Sequence, residues 1–218
     1  MTSPALTLVV GSKNYSSWSL RPYLALAHTG APFEEVVIAL DAPDTAANIA
    51  RYSPSGRVPL LRHGALSVWD SLAICEYLAE LFPEAKLWPQ EREARAMARS
   101  VSAEMHSSFM ALRQNCGMNL RARKPGVGLQ APGVAQDIAR IKELWTQCRQ
   151  RYGKGGPFLF GAFSIADAMF APVVTRFVTY GVPLDEVGAA YRDAVLGLPA
   201  MKQWMEAAAA EPPVKRYE

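Results

Sequence analysis

The chain changes its pattern once, and that change restricts what it can fold into. Up to Pro83, short β-branched runs alternate with helical periodicities, whereas beyond "FPEAKLWPQ" only helical periodicities remain. Any sheet must therefore come from the first 83 residues. "ALTLVV" at 5–10 reads as a buried strand, and Leu20, Tyr23, Leu24 and Ala27 follow at helical spacing until Gly30. "FEEVVIAL" at 33–40 is strand-like, and a weaker helix fits 44–52. "RVPLLRHGALSVW" reads as a hairpin, with strands Val58–Leu61 and Leu66–Trp69 around a His-Gly turn. Leu72, Cys75, Leu78 and Phe82 then recur at three- and four-residue steps until Pro83.

The order βαβαββα implies a parallel pair joined by a helix, with the hairpin adding antiparallel neighbours: a mixed four-stranded sheet. Helices are expected at 91–121, 134–152, 164–178 and 198–210, with "KPGVGLQAPG" at 124–133 as a loop. The fold class is thus α/β followed by all-α, divided into 1–83, a linker at 84–90, and 91–218. Ser164 and Asp167 have capping-box spacing, with Asp in place of the usual Glu or Gln, and are assigned to folding.

Charge and cysteine usage narrow the function classes. The 23 Lys and Arg against 20 Asp and Glu are spread along the chain, so no nucleic-acid partner is expected. Cys75, Cys116 and Cys148 are odd in number and widely spaced, which fits a reducing compartment, and Cys75 lies on an apolar helix face. No signal segment or membrane-length apolar run is present, so a soluble cytoplasmic protein without a membrane partner is expected. His28, His63 and His106 lack neighbours at metal-ligand spacing, and no metal is expected.

Three stretches carry the chemistry. In "SGRVPLL", Pro59 has no N–H for a ladder, which leaves the Val58 backbone free to pair with a bound peptide. In "VWDSLAICEYL", Asp70 and Ser71 stand where a strand meets a helix. They serve as caps there, and they could also hold an ammonium and a carboxylate, the two ends of an amino-acid zwitterion. "GSKNYSSWSLRPY" offers four hydroxyls, on Tyr15, Ser16, Ser17 and Ser19. Pro22 fits best in a first helical turn, which puts the N-cap near Ser19 and leaves Ser16 and Ser17 in the preceding loop.

"GRVPLL" and "WDSLAICEYLAE", in that order between a βαβαββα half and a helical half, resemble the glutathione transferase family over nearly the whole chain. The resemblance implies a thioredoxin-like domain, an all-α domain, glutathione as co-substrate and a two-fold homodimer acting on a small electrophile. It puts the cysteinyl contact on Val58, which precedes a cis-proline, Pro59, and the γ-glutamyl contacts on Asp70 and Ser71. Arg57 is a candidate for the glycine carboxylate, although an exposed strand-edge arginine is the commoner case. "SSWSLRPYLAL" resembles the zeta class, whose paired serines are followed by a cysteine; here the third position is Trp18. Ser16 becomes the first choice for the hydroxyl that bonds the glutathione sulfur, Ser17 the second, and Tyr15 a rival by analogy with other classes.

The resemblance also implies that helix residues near 106–117 face the electrophile. Met110 and Arg113 are candidates, while an ordinary amphipathic face gives the same spacing as His106, Met110, Arg113 and Gly117. The arginine-rich "NLRARK" at 119–124 reads as a solvated helix end. Two further readings stand beside the transferase: a glutathione-dependent isomerase resembling maleylacetoacetate isomerase, and a non-catalytic binding protein of the same fold. Retention of Ser16, Val58, Pro59, Asp70 and Ser71 together argues against the last.

Overall fold

The computed structural model describes residues 5–218. Strands β1 (Leu6–Gly11), β2 (Phe33–Ile38), β3 (Leu60–His63) and β4 (Leu66–Val68) form one sheet in the order β2-β1-β3-β4. β1 runs parallel to β2, with Val9 opposite Val36, and antiparallel to β3, with Leu8 opposite Leu61. Both faces of β1 are covered, as its unbroken apolar run requires. Val9 and Leu60 pack with Ile38 and Ile49 on one face, while Leu8, Val10 and Leu61 join the main core on the other. The mixed four-stranded sheet and the βαβαββα order hold.

The first half adds α1 (Ser17–Thr29), α2 (Thr45–Ala50) and α3 (Ser71–Leu81). The second half is helical: α4 (Arg92–Ser107), α5 (Met110–Asn115), α6 (Val134–Tyr152), α7 (Ile165–Tyr180), α8 (Glu186–Gly197) and α9 (Pro199–Ala210). α7 is buried nearly all round, and α1 packs against both α3 and α7, so one core runs through both halves. At the start of α7 the Asp167 carboxylate accepts from Ser164 N (2.8 Å), the Ser164 hydroxyl (3.0 Å) and Leu159 N (3.0 Å). These bonds satisfy donors that a buried helix end would otherwise strand.

Four expectations need correction. The single helix over 91–121 is two helices, broken where Ser108 is extended and Phe109 takes a left-handed backbone with its side chain in the core. The Arg113 guanidinium donates to the carbonyls of Met105, His106 and Ser108, so the freed end of α4 is satisfied without glycine or proline. "NLRARK" at 119–124 is consequently irregular chain rather than a helix end. α8 lies where no helix was expected: Gly188 and Gly197 dilute its pattern, but the Asp185 cap and the buried pair Tyr191 and Val195 sustain it. Finally, β3 begins at Leu60, so Val58 and Pro59 precede the ladder instead of opening it.

Candidate functional site

A cavity of about 590 Å³ lies at the carboxyl ends of parallel β1 and β2, beside the N-terminus of α3. Open α/β sheets hold ligands at that end of their strands. A larger cavity, about 860 Å³, borders Leu6, Phe33, His63 and Phe82 at the opposite end of the sheet.

The smaller cavity is lined by Ser55, Arg57, Val58, Pro59, Trp69, Asp70 and Ser71 from the first half, with Trp18 of α1 and His106 of α4. The Val58–Pro59 peptide is cis. Asp70 caps α3, accepting from Leu72 N at 2.8 Å through Oδ1, and its Oδ2 lies 3.3 Å from His106 Nε2. Ser71 is 1 % exposed, and its hydroxyl has no hydrogen-bond partner among the described residues. A buried hydroxyl left unpaired costs free energy, which a hydrogen bond with a bound group would offset.

The structure thus brings Arg57, Val58, Pro59, Asp70 and Ser71 to one place, and leaves Ser16 and Ser17 outside its lining. Neither serine lines the cavity; Trp18, next in the chain, does. Both are buried, at 7 % and 6 % exposure. α1 begins at Ser17 with Ser16 as its N-cap residue, not near Ser19. The reason is a bond that lies outside the local pattern: Ser19 Oγ accepts from Gly11 N at 3.0 Å and from the Ser16 hydroxyl at 2.7 Å, so it ties the helix back to β1. Pro22 consequently sits inside the helix, beyond its first turn. Among the described residues, no hydrogen bond ties the Ser17 hydroxyl.

Tyr15 is occupied elsewhere. Its hydroxyl donates to the Glu218 carboxylate and accepts from Val214 N and the Arg121 guanidinium, each at 3.0 Å. The whole turn before α1 is held by the helical half: the Glu211 carboxylate accepts from Lys13 N (2.6 Å) and Asn14 N (3.0 Å), and the Trp204 indole donates to Lys13 O (2.9 Å). No local signal in residues 12–16 could have revealed these partners, which lie about two hundred positions away.

Trp18, Trp69 and His106 complete the lining. The Trp18 ring has the Arg21 guanidinium 4.4 Å from its centroid, that of Arg113 at 4.8 Å, and the His106 ring edge-to-face at 5.4 Å. Arg21 is fully buried, and its guanidinium nitrogens find no hydrogen-bond partner among the described residues. Its stack on Trp18 is the compensating contact. Met110 is 55 % exposed and lines none of this. Gly117 lies beyond α5. Cys75, Cys116 and Cys148 are buried, and burial raises all three thiols, that of Cys148 to about 12, which disfavours their thiolate forms near neutral pH.

Two family models match the chain: the glutathione S-transferase N-terminal domain over residues 15–81 and the glutathione S-transferase C-terminal domain over 131–207. The chain belongs to the glutathione S-transferase family. Among its relatives, Glutathione S-transferase 1 of Dianthus caryophyllus is 26% identical over 181 residues, covering 80% of each chain. Maleylacetoacetate isomerase of Rattus norvegicus is 26% identical over 172 residues, covering 78% of this chain and 77% of the relative. A glutathione transferase homolog from Burkholderia GL BGR1, solved with bound glutathione, superposes with a TM-score of 0.72 at 24% identity, over 95% of this chain and 100% of that one. At that identity the likeness speaks to the fold: a thioredoxin-like domain followed by an all-helical one.

Proposed function

We propose that this glutathione S-transferase binds glutathione in the cavity at the head of α3 and presents its thiol as a thiolate to a small electrophile. The carrying observation is the convergence of Val58 with cis Pro59, the Asp70 carboxylate and the unpartnered Ser71 hydroxyl on one cavity. In this reading the Val58 backbone pairs with the cysteinyl unit as an added strand, and Asp70 and Ser71 hold the ammonium and carboxylate of the γ-glutamyl end. In the same reading Arg57, which is exposed and lines the cavity, takes the glycine carboxylate.

Ser16, with Ser17 as second choice, bonds the sulfur. An ordinary thiol titrates near 8.5, so lowering it by about two units takes roughly 2.7 kcal/mol of preference for the thiolate. A hydroxyl bond to an anion supplies about 1.5–3 kcal/mol, and the α1 N-terminus adds up to about 1 kcal/mol. The two suffice without a base or a metal, since the thiolate is itself the nucleophile. For Ser16 this requires its hydroxyl to turn from Ser19 to the sulfur.

The division into 1–83, a linker at 84–90 and 91–218, the two-fold homodimer and a cytoplasmic location belong to the same reading. A glutathione-dependent isomerase is the second reading, supported by the relative from Rattus norvegicus. There the thiolate adds to a double bond, the carbon skeleton rotates, and the thiolate leaves again. Trp18 stands where the zeta motif has cysteine, which keeps the transferase first.

The test is a turnover screen of glutathione with several electrophile classes, run on the wild type, Ser16→Ala and Ser17→Ala, beside capture on immobilised glutathione. Conjugation that falls in Ser16→Ala is expected. Failure of the wild type to bind glutathione overturns the reading.

A further inference from the structure

We infer that glutathione binding expels a proton from the Asp70–His106 pair, so that His106 sets how the affinity for glutathione varies with pH. The inference rests on the reading that Asp70 receives the γ-glutamyl ammonium. Asp70 has two carboxylate oxygens, and the first is committed to capping α3 through Leu72 N. The second, the one left for an ammonium, faces His106 Nε2 at 3.3 Å. Glutathione therefore meets an oxygen that already has a partner, and that partner comes from α4 in the other half of the chain.

The surroundings of His106 decide which protonation state tolerates the newcomer. Asp70 faces it from the head of α3, Trp18 and Arg21 from α1, and Arg113 from α5. Neither arginine forms an ion pair among the described residues: Arg113 is spent on the carbonyls that end α4, and Arg21 is unpartnered. An imidazolium here has one carboxylate in its favour and two guanidiniums against it. Burial, the largest influence, also disfavours it, and together they hold His106 below its ordinary range. Its other ring nitrogen, Nδ1, is buried with no partner among the described residues, so nothing there stabilises a second N–H.

An ammonium on Asp70 Oδ2 neutralises the one group among the described residues that supports the imidazolium. A neutral imidazole beside that oxygen carries no charge to oppose the ammonium, and the oxygen has a lone pair to spare for it. The imidazolium cannot stay at the same cost, so its proton passes to the solvent as glutathione binds. By linkage, affinity then falls toward tenfold per pH unit once the free protein carries that proton.

The experiment is titration calorimetry with S-methylglutathione, which has no thiol to titrate, between about pH 5 and pH 8 in two buffers of different ionisation enthalpy. Wild type is expected to release up to one proton per ligand at the acidic end and none at the alkaline end, with affinity rising alongside. In His106→Gln the release disappears and the affinity flattens across the same range; His106→Asn serves as a second variant should the first fold poorly. Binding that Asp70→Asn weakens, but that shows no proton release in wild type or an unchanged release in both His106 variants, overturns this inference and leaves the site reading standing. Binding indifferent to Asp70→Asn, or none at all, overturns both.

Discussion

The Ser16 hydroxyl donates to the Ser19 hydroxyl across 2.7 Å, and the same Ser19 oxygen accepts from Gly11 N, so the candidate thiol donor is tied to the end of β1. If Ser16 is the donor, Ser16→Ala should raise the titration of bound glutathione by about one to two pH units, the equivalent of one hydroxyl–anion bond. Ser17→Ala should leave it nearly in place. The thiolate's ultraviolet absorbance during a pH titration measures both. A shift seen only in Ser17→Ala would move the role to Ser17.

Ser71→Ala separates stability from binding. Its hydroxyl is buried and unpaired among the described residues, so its removal should leave the free protein as stable as before, or up to about 1 kcal/mol more so. The affinity for glutathione should nevertheless drop roughly tenfold or more, the loss of a bond to a carboxylate. Urea unfolding and calorimetry on the same preparation check the two halves. A marked loss of stability would mean that the hydroxyl is structural.

Glu211 holds the turn that carries the serines from the far end of the chain. Glu211→Ala strands Lys13 N and Asn14 N and should lower stability by about 1–3 kcal/mol, with kcat/KM for glutathione falling further than in Glu211→Gln, which keeps one acceptor. Urea midpoints and steady-state rates read the effect.

Asp167 makes stability depend on pH in an unusual direction. Burial lifts its carboxyl from the ordinary 3.8 to about 6, against three hydrogen bonds that pull it down. Between those values the folded chain binds more protons than the unfolded one, so this group's contribution is fully present below about pH 4 and is lost as pH rises through about 6, on the order of 3 kcal/mol in all. Asp167→Asn should be less stable than wild type, by more at about pH 4.5 than at about pH 7. Equal losses at the two pH values would exclude the titration.

Much of the fold was legible because it rests on local patterns. The apolar run at 5–10, the hairpin, the α6 span and the α7 cap each declare themselves within a few residues. Two errors have a common origin. The break at Ser108–Phe109 and the start of α1 at Ser17 both depend on side chains that reach back to backbone groups: Arg113 onto the last carbonyls of α4, and Ser19 onto Gly11. The missed α8 is different, since its glycines weaken the propensity while burial of Tyr191 and Val195 restores it. In the candidate site, Val58, Pro59, Asp70 and Ser71 stand out locally as a proline step and a helix start, while the binding roles proposed for them come from the family resemblance. His106 shows in the sequence only as part of a helical face.

By itself, the sequence determined that the sheet comes from the first 83 residues, that the rest is helical, and that a helix N-terminus carrying Asp70 and Ser71 follows Val58 and Pro59. Those are consequences of periodicity and backbone chemistry, which act over a few residues. Only the tertiary structure decided that His106 faces Asp70, that the Trp18 ring meets the guanidiniums of buried Arg21 and half-buried Arg113, and that Glu211, Trp204 and Glu218 fasten the turn before Ser16. Such pairings join groups separated by tens to hundreds of residues, and their energies exist only once the core has folded and excluded water from between them.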